Sequence, residues 1–309
     1  MGRVWAIAIN TFREAVRDKV LYGVLGFAIG ILLFTLALAE LSLNQQQRVV
    51  LDVGLASISF FGVVIAIFLG SSLLYKEIDR KTLYIILPKP IRRWEFLLGK
   101  YVGIVLTAAV FIAIMGAIQL WVTAVQADAA PSLLIGVPLA VLALLGFALW
   151  RAKDRTAVLL PWSLVFLAAC ASLLPASEIA LGPILSALLL SFGEVMVLSA
   201  VALLFSSFST PFLTGAFSLG VWAVGRSADE MAAMNDEVVG DTIGPMLRGL
   251  SRVVPNFNLF VPGRHALSES SMLPNGLLEY LGTTMGYGLA YAALLFAVAT
   301  LIFRRRDFL

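Results

Sequence analysis

The amino-acid sequence predicts an all-α fold: a polytopic transmembrane helical bundle with an N-terminal amphipathic interfacial helix. Three observations predict it, namely the composition, the spacing of uncharged segments and the distribution of basic residues. Of 309 residues, 60% are hydrophobic and 13% are charged, and the mean hydropathy is +0.95. Soluble domains carry about 25% charged residues, because polar side chains must cover an exterior that faces water. A chain this apolar therefore requires lipid as its solvent.

Uncharged segments long enough to cross a membrane predict about eight spans. A spanning helix needs about 20 apolar residues, and such spans lie near 22–41, 53–74, 101–125, 132–150, 156–175, 183–205, 209–226 and 282–303. We interpret them as a six-span core plus an extra hairpin at 132–175, within one transmembrane domain covering 1–309. Pro138 and Pro161 leave an alternative, in which the hairpin is re-entrant and six helices span the membrane.

Basic residues separate strongly between the two sides of this layout. With a cytoplasmic N-terminus, the inner segments 1–21, 75–100, 151–155, 206–208 and 304–309 hold 4, 7, 3, 0 and 3 of the 22 Lys and Arg residues, and the outer segments hold 5. The positive-inside rule predicts this excess and places both termini in the cytoplasm. Because the net charge of +3 then reflects topology, no nucleic-acid partner is expected.

The first 19 residues have the pattern of an amphipathic helix. Apolar residues recur at helical spacing on one face, and polar residues occupy the other: Val4, Trp5, Ala8, Ile9, Phe12 and Val16 against Asn10, Arg13, Glu14 and Arg17. Such a helix is suited to lie flat on the membrane surface. The alternative is a solvated extension of the first span.

An outer segment at 227–281 combines acidic residues with a second amphipathic stretch. Its apolar residues between 243 and 254 recur at helical spacing, and Pro255 follows them. We expect a short helix lying against the outer surface and ended by this proline.

The inner loop at 75–100 contains both charge signs and several apolar side chains. Pro88 and Pro90 stop the helix that enters the loop, and a second segment leads into the third span. This pattern predicts a short projection that a partner protein binds. The alternative is a solvated loop whose Lys and Arg residues serve only as topology signals.

These motifs resemble the membrane subunits of type-two ABC transporters. Those permeases carry an acidic residue, a Thr-Leu pair, a Leu–Pro–x–x–Arg stretch and a closing Phe-x-x-Gly-Lys between their second and third spans. The matching residues are Glu77, Thr82, Leu83, Leu87, Pro90, Arg93, Phe96, Gly99 and Lys100. The N-terminal helix, the Pro255-Asn-Phe257 segment and the C-terminal Phe303–Phe308 stretch also fit the family, closest to permeases of copper-enzyme maturation and gliding-motility type. The extra hairpin departs from the family's six-span core.

The resemblance implies a non-catalytic exporter subunit in a bacterial cytoplasmic membrane. Cytoplasmic ABC ATPases would bind the coupling loop 75–100, including Arg80, and a second permease chain would complete the transporter. ATP and Mg²⁺ would bind in the ATPase, and no cofactor is expected in this chain. The sequence agrees with this division, because the Gly99-Lys100 pair has Trp94 where a phosphate-binding loop needs its first glycine.

Glu194 lies in the middle of the sixth predicted span. A carboxylate at that depth costs about 2.5–3.5 kcal/mol on insertion scales and marks a possible functional site. One hypothesis is a secondary transporter that uses Glu194 as a proton or ion site. The other is a protonated acid that hydrogen-bonds to a neighbouring helix. A membrane enzyme is disfavoured, because the single histidine, His265, lies in the outer segment and no Ser–His, His–Glu or Asp-pair arrangement occurs in a span. Since Cys170 is also the only cysteine, no metal site is expected.

Three pairs of glycines recur at four-residue spacing, which lets helices approach closely. They are Gly26 and Gly30, Gly99 and Gly103, and Gly282 and Gly286. We expect them to contact helices of the same chain, and a dimer face is the alternative.

Overall fold

A computed structural model describes residues 2–42, 45–79, 92–127, 129–174, 181–234, 243–261 and 276–305. Within these ranges the chain is helical and contains no strand. The helices are α1 (Gly2–Val16), α2 (Lys19–Glu40), α3 (Gln46–Asp79), α4 (Arg93–Gln126), α5 (Pro131–Arg151), α6 (Leu159–Ala171), α7 (Leu181–Ser206), α8 (Pro211–Arg226), α9 (Ala228–Ala233), α10 (Ile243–Val253) and α11 (Leu277–Arg305). The all-α transmembrane prediction is confirmed.

Six of the described helices are long and apolar enough to cross a membrane, namely α2, α3, α4, α5, α7 and α11. The other two predicted spans fall on shorter helices. At 1.5 Å per residue, the 13 residues of α6 extend about 20 Å and the 16 residues of α8 about 24 Å. The hydrocarbon core is about 30 Å thick. Pro138 lies inside α5 without ending it, so the first half of the extra hairpin is a full-length helix.

The chain forms two compact units, and α3, α4 and α7 each contribute to both. The first unit contains residues 1–65 and 102–192, and the second contains 66–101 and 193–309. The prediction of a single transmembrane domain stays a prediction.

In the first unit, the apolar face of α1 is buried against the protein. Phe12 and Val16 pack with Val110 of α4. A Cβ atom on Gly103 would lie 2.7 Å from the carbonyl oxygen of Ala8, so only glycine allows this approach. The apolar pattern therefore predicts the helix correctly. The protein covers the part of the predicted face that contains Ala8, Phe12 and Val16, whereas Trp5 on the same face is 55% exposed.

The extra hairpin is bonded to α4, and its two helices α5 and α6 are bonded to each other. The indole N–H of Trp121 in α4 donates to the carbonyl of Leu134 in α5, at 2.9 Å. The indole N–H of Trp162 in α6 donates to the carbonyl of Val141 in α5, at 3.0 Å. Each bond occupies a buried indole donor, so the two helices are held in a defined register.

The predicted glycine contacts are found at one of the three pairs. Gly103 touches α1 as described above. For Gly26, Gly30, Gly282 and Gly286, no described atom lies within 4 Å of the position that a Cβ atom would take. The dimer-face alternative for those two pairs stays a prediction.

In the second unit, α10 begins at Ile243 and ends at Val253, before Pro255. This confirms the predicted amphipathic helix of the outer segment. Met246 and Val253 are exposed apolar residues of α10, as expected for a helix that lies against a lipid surface.

Candidate functional site

The structure describes one end of the predicted coupling loop. Arg80, Thr82, Leu83, Leu87 and Pro90 lie outside the described residues, and Glu77 is described only as part of the backbone of α3. At the other end of the loop, the backbone N–H of Arg92 donates to Oε2 of Glu95 at 2.9 Å. This is one half of a capping box, and it begins α4 directly after the loop.

Arg93 fixes the start of α4 to the end of α11. Its guanidinium donates to the carbonyl of Phe303 at 3.2 Å and to that of Arg304 at 2.9 Å. The last carbonyls of a helix have no partner within the helix and carry partial negative charge. The Arg93 guanidinium therefore supplies hydrogen-bond donors, and a positive charge, to two carbonyl groups in the last turn of α11.

Phe96 and Lys100 are buried within the chain. The ring of Phe96 is 5% exposed and stacks on Phe303, with ring centroids 6.3 Å apart. Lys100, one helical turn further along, is 1% exposed. The end of α11 covers the ring of Phe96 within the chain. The predicted part of Phe96 in binding an ATPase stays a prediction.

Glu194 is fully buried and bonds to two side chains of the neighbouring helix. Its Oε1 accepts a hydrogen bond from Nε1 of Trp222 at 2.8 Å and from the guanidinium of Arg226 at 2.6 Å. The same guanidinium carbon lies 5.6 Å from the centroid of the Trp222 ring, within cation–π range. Glu194 is thus part of an ion pair, whereas a protonated acid is the form that the sequence alone favours.

The sequence interpretation misses Arg226 because it counts this residue, the last of the predicted span 209–226, among the basic residues on the outer side. A signal for the pair exists in the sequence. Residues 207–210 join α7 to α8. Glu194 lies 12 residues before the end of α7 and Arg226 lies 15 residues after the start of α8, a difference that is within the reach of a long arginine side chain. Since a buried carboxylate needs a partner, the cation at that register is the natural candidate.

The Pro255-Asn-Phe257 segment binds the C-terminal end of α8. The backbone N–H of Phe257 donates to the carbonyl of Gly225 at 2.9 Å. The side-chain amides of Asn256 and Asn258 each donate to one carboxylate oxygen of Asp229, at 2.7 Å. This segment therefore contacts the residue next to Arg226 and the helix that follows it.

The same segment continues onto α7 and α11. The hydroxyl of Tyr280 donates to the carbonyl of Leu259 at 2.6 Å, and the hydroxyl of Tyr287 accepts from the backbone N–H of Asn256 at 2.9 Å. The ring of Phe260 fills the space left by two glycines, Gly193 on α7 and Gly288 on α11. Because Gly193 precedes Glu194, the outer segment and the buried ion pair form one connected cluster.

These helices and contacts define a multi-pass membrane protein of α-helical type. A family model described as "ABC-2 family transporter protein" matches residues 5–308. The chain belongs to this family and is an ABC transporter permease, as the resemblance in its motifs predicts. Among curated proteins, none matches the sequence.

Proposed function

We propose that the chain is the membrane subunit of an ATP-driven exporter, with the coupling loop 75–100 bound by a separate ABC ATPase. The family match over residues 5–308 is the observation that carries this proposal. We place the protein in a bacterial cytoplasmic membrane with both termini in the cytoplasm, where it pairs with a second permease chain. ATP and Mg²⁺ bind in the ATPase.

The contacts of Arg93 and Phe96 suggest how the loop transmits movement. Both residues connect the start of α4 to the last turn of α11. The loop itself follows α3, so a displacement of the loop by the ATPase acts on three helices. Arg93 and Phe96 transmit force within the chain in this proposal, and the residues between 77 and 90 contact the ATPase.

The secondary-transporter hypothesis is less well supported. Its candidate site is Glu194, whose carboxylate already bonds to Trp222 and Arg226. We infer a structural role for Glu194, in which the ion pair holds α7 and α8 together.

The double variant Glu77→Ala/Leu87→Ala tests the docking site. We expect the amount of ATPase that co-purifies with the chain to fall at least about tenfold, because charges set the register of an interface and apolar anchors contribute most of its affinity. The matched control is Glu40→Ala/Leu41→Ala, which removes one Glu and one Leu side chain from exposed positions at the C-terminal end of α2, away from the loop in sequence. The measurement is P-loop ATPase recovered per permease, with substrate-stimulated ATP hydrolysis in nanodiscs. Equal recovery from both double variants would show that the loop is only a topology signal.

Single cysteines test the proposed orientation. In a Cys170→Ala background, Lys153→Cys should be protected from a membrane-impermeant thiol reagent in intact cells. Gln47→Cys and Glu230→Cys should react, because their exposed positions lie on the outer side of the proposed topology. Reaction at position 153 would place the turn between α5 and α6 outside and contradict the layout. Arg93 is unsuitable as a probe, since its side chain holds the end of α11.

A further inference from the structure

Five exposed basic residues lie on two turns of the first unit. Arg17 and Lys19 flank the turn between α1 and α2, and Arg151, Lys153 and Arg155 lie at the end of α5 and in the turn that follows it. All five have exposed side chains. The two groups are more than 130 residues apart in sequence, and contacts between the turns bring them together.

An ion pair joins the two turns. The guanidinium of Arg13 contacts the carboxylate of Asp154. Phe12 and Val16 of α1 belong to an apolar cluster against which Leu159 and Leu160 of α6 pack. The end of α1 and the turn at 151–155 are therefore neighbours, and the basic residues form one composite surface, which we call the hairpin surface.

The acidic residues of the hairpin surface are engaged in local contacts. Asp154 accepts from Arg13 and from the hydroxyl of Thr156. The Arg13 guanidinium beside Asp154 lowers the pKa of that carboxyl below its usual value, so the carboxylate stays ionised at neutral pH. Asp18 caps α2 by accepting from the backbone N–H of Val20 at 3.0 Å.

The helices that border the hairpin surface are the least covered of the long helices. Only 6% of the most apolar stretch of α5 and 17% of that of α2 are buried, against 61% in α3 and α4. Trp150, directly before Arg151, is 82% exposed, and Tyr22 on α2 is also exposed. Exposed Trp and Tyr at the ends of apolar helices are typical of the membrane interface.

We propose that the hairpin surface binds the phosphate headgroups of anionic phospholipids. Lipid is the favoured partner because the basic residues follow helices whose apolar sides are open, and because amphipathic aromatic residues accompany them. A basic residue close to an anionic membrane surface strengthens binding by roughly fivefold. The extra hairpin then adds an anionic-lipid site to the core of the transporter.

Lipid binding is measured on the full-length chain in neutral detergent by native mass spectrometry, during titration with phosphatidylglycerol or phosphatidylcholine of equal chain length. The wild-type chain should prefer phosphatidylglycerol. The variant Arg151→Gln/Lys153→Gln/Arg155→Gln should lose at least about tenfold in affinity for it. The control Arg151→Lys/Lys153→Arg/Arg155→Lys keeps the charge and should stay within about threefold of wild type.

The variant Asp154→Asn distinguishes two explanations of lipid binding: the net charge of the turns alone, or the joining of the two turns into one surface. It raises the net charge by one, so charge alone predicts tighter binding of phosphatidylglycerol. Our proposal predicts weaker binding, because the substitution removes the ion pair that fixes the turn at 151–155 to Arg13 of α1. Arg17→Gln/Lys19→Gln tests the α1 side independently and should also weaken binding.

Two results would overturn the proposal. One is unchanged phosphatidylglycerol binding by the triple glutamine variant or by Arg17→Gln/Lys19→Gln. The other is unchanged lipid binding combined with loss of the ATPase or of a second permease chain, which would make the hairpin surface a protein contact.

Discussion

Replacing Glu194 by leucine is expected to lower the free energy of unfolding by about 2–4 kcal/mol, because it leaves a cation and an indole N–H without their acceptor inside the protein. The value lies towards the lower end of the range for a buried ion pair, since the side chain of Arg226 is 30% exposed. Denaturant or thermal unfolding of the full chain in neutral detergent measures it.

A double-variant cycle identifies the cause. Glu194→Leu/Arg226→Met removes both charges, and we expect it to recover at least half of the lost stability. Ser191→Ala is the matched control on the same helix, because the hydroxyl of Ser191 donates to the carbonyl of Ala187 one turn earlier and has no further bond to the described part of the chain. It should cost less than about 1 kcal/mol. If the double variant loses as much free energy of unfolding as the sum of the two single variants, the two residues act independently.

Glu194→Gln distinguishes the structural role from a transport site. Glutamine keeps an acceptor for Trp222 but leaves Arg226 without a counter-charge, so we expect an intermediate loss of stability. Transport should fall only in proportion to the folded protein. Normal accumulation together with abolished transport would support the secondary-transporter hypothesis.

Gly225→Ala is the second substitution with a large expected effect. A Cβ atom at this position would lie 2.3 Å from the carbonyl oxygen of Pro255 and 2.7 Å from the ring of Phe257. Since the first contact is with the backbone, the Pro255–Phe260 segment must move away from α8. We expect a loss of about 1–3 kcal/mol, the usual cost of overpacking.

Hydrogen–deuterium exchange checks this effect locally. The amides of residues 255–260 should exchange faster in Gly225→Ala, including the Phe257 amide that bonds to Gly225. Gly220→Ala is the control on the same helix, because no described atom lies within 4 Å of its Cβ position. Alanine there should be neutral or stabilising by up to about 1 kcal/mol. Equal effects of the two substitutions would contradict the proposed contact.

The helices themselves could be predicted from the sequence. In the bilayer core, an isolated segment can satisfy the hydrogen bonds of its backbone N–H and C=O groups only by forming a helix. A run of 20 uncharged residues is therefore sufficient evidence for a helix. The pattern of α1 likewise predicts its apolar face. It does not show whether lipid or α4 covers that face, since both are apolar.

The site was harder to predict because its contacts join residues that are distant in sequence. The motif Phe-x-x-Gly-Lys identifies Phe96, but only the position of Phe303 shows that the ring is buried. A buried acid at 194 indicates that a partner exists, whereas the length of α8 decides that Arg226 is the partner. Hydropathy predicts whether a segment is stable in lipid or in water. It carries little information about which helix packs beside that segment.

The helix α8 is shorter than a helix that crosses the hydrocarbon core of a bilayer. Its 16 residues extend about 24 Å, and the exposed acidic residues Asp229 and Glu230 follow directly. The helix is thus about 6 Å shorter than a typical hydrocarbon core. Such hydrophobic mismatch is relieved when the membrane thins locally or when water enters beside the helix end. In the spanning position that the sequence predicts for α8, the lipid next to Arg226 would be deformed in this way, and longer acyl chains would raise the energy of the deformation.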